Sequence, residues 1–227
     1  MTSITRVNRA RYDGVAEWYD RTFASSELAI APRETALRLL GEGPGRLLDV
    51  GCGTGAHTKA FAEHGWTVVG VDISADQLQL ARERGIEVIQ ADAADLPFED
   101  ETFDAVVSMW THTDVDDFSL LLREVARVLR LGCPFIYVGA HPCFVGRHSY
   151  FVEARGVPVL HPGYWDTGRY TDAPGVSPTG LRAKVGGVHF PLGRFVQSFL
   201  AAGLTLESFE ELERREYPYT LALRCRR

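Results

Sequence analysis

The run LLDVGCGTG at residues 47–55 decides how this chain folds. Leu47, Leu48 and Val50 make a short apolar stretch that reads as the end of a buried strand. Gly51, Gly53 and Gly55 follow, and residues without a Cβ allow a sharp turn and let a ligand approach the main chain. The pattern over 56–63 predicts a helix whose first N–H groups face the same crevice. Strand, glycine turn and helix in that order describe a cradle for a nucleotide-like cofactor.

Outward from this run, apolar strands alternate with helical stretches, and strands are predicted at 46–50, 68–72, 86–90, 105–109 and 134–138. Such alternation calls for an α/β, Rossmann-like, doubly wound parallel sheet that binds ligands beyond the C-terminal ends of its strands. Asp49, Asp72, Asp92 and Met109 stand at such ends. After a predicted helix at 192–202, two strand-like runs at 204–212 and 217–225 are joined by a charged turn, and strands joined so closely pair antiparallel.

Glycine spacing alone leaves the cofactor open. Gly51, Gly53 and Ala56 also satisfy the dinucleotide-binding G-x-G-x-x-G/A pattern, with Asp72 about 20 residues on where a ribose-binding acid belongs. Asp49 tips the balance, because a carboxylate there repels a pyrophosphate and suits a ligand carrying an ammonium. Asp72 ends a strand, where it can accept from both hydroxyls of a ribose. Ser74 already caps the predicted helix at 75–83, which leaves Asp72 free of that duty.

Four pieces in order carry a resemblance: LLDVGCGTG at 47–55, VVGVDIS at 68–74, ADAADLPFEDETFDAVVS at 91–108 and LREVARVLRLGCPFIYV at 122–138. With them the chain resembles the class I S-adenosylmethionine-dependent methyltransferases, in the type 11 group with enzymes of ubiquinone and menaquinone biosynthesis. The resemblance implies one methyltransferase domain over 1–227, with a seven-stranded sheet, mostly parallel with an antiparallel last strand. It also implies S-adenosyl-L-methionine as donor and S-adenosyl-L-homocysteine as product. Asp49, Gly51, Cys52, Gly53 and Met109 are then expected to border the cofactor. Ile73 is expected on the adenine face, and Asp92 and Ala93 at the adenine edge. Of the acidic run that Asp92 opens, Asp104 is expected to order a turn. A helical cap over 1–30 is implied to bring Tyr12 and Tyr19 over the methionine end, against the simpler reading that these aromatics only pack on the core.

On the acceptor side, MWTHTD at 109–114 places Trp110, Thr111 and His112 beside the methyl group. His112 is a candidate general base if the acceptor needs one, and a solvated loop histidine otherwise. His141 is a second candidate. The segment 141–189 is rich in Pro, Gly, His and aromatics and shows no helical or strand period, so it is expected to roof the substrate pocket. Tyr150, Tyr164 and Tyr170 are expected to line that pocket for an aromatic or polyketide-like acceptor. His189 either faces the pocket or ties the segment to the core. His141, Cys143, His148 and His161 match no zinc spacing, and no metal is expected.

The 227 residues carry a formal net charge of −6, which gives no general attraction to nucleic acid. The four cysteines form no C-x-x-C pair, and no apolar run reaches membrane-spanning length, which fits a reduced cytoplasmic setting. The basic N-terminal stretch lacks the apolar core of a secretory signal. Lys59 and Lys184 are the only lysines, an association with G+C-rich genomes that favours a secondary metabolite as acceptor. A small-molecule acceptor and a monomer or homodimer are therefore expected. The competing readings are a protein or RNA methyltransferase, a cofactor-binding protein without turnover, and a nicotinamide-dependent oxidoreductase that rests on the glycine pattern alone.

Overall fold

The structure is a computed structural model that describes residues 10–26, 29–152, 157–212 and 216–227, without the side chains of 150–152. Five strands run parallel: β1 (Arg46–Val50), β2 (Thr67–Asp72), β3 (Glu87–Gln90), β4 (Ala105–Met109) and β5 (Pro134–Ala140). Two late strands, β10 (Thr205–Glu211) and β11 (Thr220–Arg226), complete a seven-stranded sheet of order β10-β11-β5-β4-β1-β2-β3. β11 is antiparallel to both of its neighbours, so it alone runs against the sheet.

The strands are legible as apolar runs because both sheet faces are covered. Alternation along β1 sends Leu48 and Val50 to one side. There they meet helix α5 (Phe118–Val128) and helix α7 (Leu192–Ala201) through Leu121, Val125, Phe195 and Phe199. Leu47 turns to the other side, onto Leu39 and Leu40 of α2 (Ile30–Leu40) and Phe61 of α3 (Thr58–Glu63). Asp49 shares that parity, so the fold buries a carboxylate toward the start of α3. Each fully buried Leu or Phe contributes about 1.5–3 kcal/mol.

Helix α4 (Ala75–Glu83) follows β2, and the Ser74 hydroxyl accepts from the Gln77 N–H as its N-cap. The glycine turn consumes two more residues than expected: the Gly55 carbonyl takes the Lys59 N–H, and α3 begins at Thr58 rather than at 56. At the N-terminus a short α1 (Ala16–Tyr19) runs on into a π-turn (Asp20–Ala24).

Segment 141–189 differs from its sequence reading. It forms a hairpin of β6 (Ser149–Val152) with β7 (Val157–Leu160), and a second pair of β8 (Gly168–Tyr170) with β9 (Gly187–His189) around helix α6 (Leu181–Val185). Strands of three or four residues are too short to show a period of two. No helix among the described residues is long and apolar enough to cross a membrane.

Candidate functional site

A cleft opens at the C-terminal ends of β1, β2, β3 and β4, and encloses about 830 Å³ counting the solvent at its mouth. A narrower recess of about 330 Å³ adjoins it under the glycine turn. Gly51 and Gly53 sit between the two at φ 75° and 55°. A Cβ on Gly51 would lie 2.3 Å from Thr111 Cγ2, and one on Gly53 would lie 2.5 Å from Gln77 Oε1. Backbone conformation therefore favours glycine at both positions, and close packing against Thr111 favours it at Gly51 as well.

Four N–H groups of this turn are already committed. Those of Gly51 and Cys52 both donate to the Val71 carbonyl at 2.8 and 3.0 Å, and that of Gly55 donates to the Cys52 carbonyl at 3.0 Å. The Gly53 N–H donates to Asp72 Oδ2 at 3.0 Å. A phosphate-binding loop turns such groups toward its ligand. Here they fix the turn and one carboxylate instead.

Three carboxylates punctuate the floor. Asp49 in the recess is 2% exposed and accepts from the Thr58 hydroxyl at 2.6 Å. Burial pushes its carboxyl up to about 7 against the Thr58 hydrogen bond, and the charge of Asp72 adds to the rise. Asp72 Oδ1 accepts from the Ser74 N–H at 2.9 Å, and burial raises this carboxyl too despite the N–H groups it receives. Asp92 follows β3 and takes the Ala94 N–H on Oδ1 at 2.9 Å. Ile73, Ala93 and Met109 complete the wall, while Cys52 lines the recess with a thiol that burial pushes up. Asp104 lies elsewhere and accepts the Arg46 N–H at 2.8 Å, which orders the entry to the sheet.

Tyr12 and Tyr19 form the roof, with ring centroids 5.1 Å apart. Trp110 and Thr111 close the side next to β4. The cap is pinned by side chains along its length: Asp20 accepts from the Thr54 hydroxyl and from Arg84, Asp13 accepts from the Ser74 hydroxyl, and Tyr12 donates to Asp114. Asp114 also pairs with Arg182 at 2.5 Å, and Asp116 pairs with both Arg11 and Arg169.

The histidines and tyrosines expected on the acceptor side are placed differently. His112 is 2% exposed and turns away from the cleft into Phe118, Phe195 and Tyr137, whose hydroxyl pairs with its Nδ1. Burial, with Arg182 and His189 nearby, drives its pKa down to about 3, so a neutral core ring replaces the expected base. His141 is equally buried, donates from Nε2 to Glu211 at 2.7 Å and accepts the Cys143 N–H on Nδ1, away from the cleft wall. His189 donates from Nε2 to the Tyr164 carbonyl at 2.8 Å, and so ties segment 141–189 together.

Tyr164 and Tyr170 also leave the pocket. The Tyr164 hydroxyl accepts the Leu192 N–H at the start of α7, and the buried Tyr170 ring packs against Gly187. The Tyr150 side chain lies outside what is described. Sequence reasoning missed Gln77, Asp114 and Arg11 on the cleft wall, and His57 in the recess. The Nδ1 of His57 has no hydrogen-bond partner, and burial beside Arg33 lowers its pKa to about 4.

Comparison with known proteins bears on this geometry. Residues 48–137 match the family model described as a methyltransferase domain. The chain is 41% identical over 103 residues to a fatty-acid O-methyltransferase of Mycolicibacterium smegmatis, covering 43% of this chain and 38% of that protein. It is 39% identical over 131 residues to a demethylmenaquinone methyltransferase of Tropheryma whipplei, covering 55% of each. The aligned part thus spans about half or less of these relatives. A solved S-adenosylmethionine-dependent methyltransferase from Mesorhizobium loti superposes with a TM-score of 0.70 at 24% identity, over 95% of this chain and 99% of that one. Residues 48–137 are a methyltransferase domain, and the chain around them completes the fold of a class I S-adenosylmethionine-dependent methyltransferase.

Proposed function

We propose that this protein transfers a methyl group from S-adenosylmethionine to a small-molecule acceptor whose nucleophile is already anionic at neutral pH. One observation carries the donor: the N–H groups of Gly51, Cys52 and Gly53 are spent on protein acceptors, while the buried carboxylate of Asp49 and the half-buried one of Asp72 face the ligand space. That combination rejects a pyrophosphate and fits a ligand with an ammonium and a ribose diol. Asp49 would hold the ammonium in the recess, Asp72 the ribose, and Asp92 with the Ala93 N–H the adenine edge.

When bound, the cofactor supplies an electrophilic methyl on a sulfonium, and in-line displacement leaves a neutral thioether. The chain's part is alignment and exclusion of water, for which Tyr12, Tyr19 and Trp110 close the space around Met109. Among the described residues no histidine lines the main cleft, so an acceptor that ionises by itself, such as a carboxylic acid, suits it best. The named activity of one relative, on a fatty acid, supports that class. The Pro- and Gly-rich segment 141–189 would set acceptor choice.

Titration calorimetry with S-adenosylhomocysteine and with NADH tests the donor, and binding of NADH alone would overturn it. Incubation with labelled S-adenosylmethionine and a panel of carboxylic acids, quinols and amines tests the acceptor, and label only on amines would refute the anionic class.

A further inference from the structure

The loop at 113–116 carries two carboxylates, Asp114 and Asp116, and three guanidinium groups reach it. Two of these are fully committed. Arg182 donates to both oxygens of Asp114, to the Thr113 hydroxyl and to the Gly186 carbonyl. Arg169 donates from Nε and Nη2 to Asp116 Oδ1 at 3.0 and 2.8 Å, and from Nη2 to the Asp114 carbonyl at 2.7 Å. Arg11 reaches the same Asp116 with Nη2 alone, at 3.2 and 3.3 Å, and its Nε and Nη1 make no hydrogen bond among the described residues. The cluster therefore holds one positive charge more than its carboxylates balance.

That surplus stands on the main cleft. Arg11 lines it with Tyr12, Trp110, Asp114 and Asp116, and no other Lys, Arg or His among the described residues does. The cofactor proposed above offers it no partner. The one anion of that ligand is the carboxylate on the carbon that bears the ammonium, and Arg11 is not on the wall of the recess where Asp49 holds that end. An acceptor that enters as an anion gives up water and meets the carboxylates of Asp72, Asp92, Asp114 and Asp116. It needs a cation, and a guanidinium with Nε and Nη1 free of protein partners can give it charge-assisted hydrogen bonds.

We propose that Arg11 anchors the carboxylate of an acidic acceptor, holding one oxygen while the other takes the methyl group. This rests on the donor and the acceptor class assigned above. In the transfer, a lone pair of the second oxygen forms the C–O bond as the C–S bond breaks and leaves its electrons on sulfur. Carboxylate and sulfonium become a neutral ester and a neutral thioether, and no proton moves. The pull of Arg11 is therefore strongest on the bound acid, weaker in the transition state and nearly absent on the ester. Its part is to select and hold the acid and to let the product go, not to raise the rate.

A series of straight-chain fatty acids with labelled S-adenosylmethionine, followed by the best-methylated acid and its neutral primary amide in calorimetry on protein loaded with S-adenosylhomocysteine, tests this on wild type, Arg11→Met and Arg11→Lys. In Arg11→Met the KM for the acid should rise about ten- to a hundredfold, with kcat not lowered. The amide, and S-adenosylhomocysteine alone, should bind wild type and variant alike. Arg11→Lys should recover part of the loss, because it keeps the charge without the planar fork. Equal weakening of acid and amide, a matching loss of S-adenosylhomocysteine affinity, or an unchanged KM for the acid would overturn the assignment while leaving the acceptor class standing. Methylation of no acid in the series by wild type would remove the acceptor class and this inference with it.

Discussion

Replacing Asp49 with asparagine should move stability and cofactor affinity in opposite directions. The carboxyl is 2% exposed, is held by the Thr58 hydroxyl at 2.6 Å, and is raised by burial from 3.8 to about 7. Between those two values the folded chain keeps a proton that the unfolded chain has released. Stability therefore falls as pH rises through that window and stays lower above it. A shift of this size corresponds to about 4 kcal/mol at pH 8. Asparagine carries no charge to desolvate and retains an oxygen for Thr58, so Asp49→Asn should unfold at higher urea at pH 8, with the gain vanishing toward pH 4.

The same substitution removes the counter-charge for an ammonium, and affinity for S-adenosylhomocysteine at pH 8 should fall tenfold or more, roughly the 1–4 kcal/mol of a close pair at the protein surface. In wild type an ammonium selects the ionised carboxyl. Affinity should then fall by about tenfold per pH unit below 7, with release of a proton visible as a buffer-dependent binding enthalpy. In the variant both effects should disappear. Lower stability of the variant at pH 8 together with unchanged affinity would refute the assignment of Asp49 to the ligand.

His112→Phe should leave methyl transfer intact and cost about 1–3 kcal/mol by leaving the Tyr137 hydroxyl unpaired. Because burial lowers His112 from 6.5 to about 3, wild-type stability is lost as pH falls below 6.5. Urea titrations at pH 7 and pH 5 should show that slope reduced in the variant by about 1.4 kcal/mol per unit. Arg182→Met strips Asp114 of its ion pair, so amide protection at 10–24 and 181–189 should fall roughly thirtyfold, or about 2 kcal/mol, with little change in the urea midpoint. Equal loss of protection throughout the sheet would show that the roof does not open separately. Gly53→Ala puts a Cβ at φ 55° and 2.5 Å from Gln77 Oε1, and should cost about 1–3 kcal/mol in thermal stability and weaken S-adenosylhomocysteine in calorimetry.

What was legible in the sequence follows from the lengths of the elements. β1 and β4 run as apolar stretches of five residues between a turn and a helix, and their predicted limits match. Asp49, Asp72 and Asp92 line the cleft and its recess because a doubly wound sheet opens its crevice at strand ends, so position in the alternation already places them there. His112 was misplaced because its neighbours in sequence are polar while its neighbours in space, Phe118, Tyr137 and Phe195, come from α5, β5 and α7. The short turn Thr111–Thr113 tucks the ring under the sheet, and no periodicity marks a turn of three residues. Gln77 did leave a signal, a capping-box glutamine whose target is contested by an aspartate two residues before the cap.

The roof has a logic that neither half shows alone. Asp114 holds Tyr12 from the N-terminal cap and Arg182 from α6, and Asp116 holds Arg11 from the cap and Arg169 from β8. Two carboxylates on one loop therefore bind both the N-terminal cap and segment 141–189, and that loop continues directly from Trp110 and Thr111 on the cleft wall. Neither segment can move away from the loop without leaving a partly buried carboxylate or guanidinium short of a partner, so the two are energetically joined. For the proposed transfer this coupling stands where a general base would in other chemistry. With no histidine on the main cleft among the described residues, the proposed transfer draws its rate from alignment and from dryness, and both depend on the cap staying closed over the cleft, where the loop shared with segment 141–189 holds it.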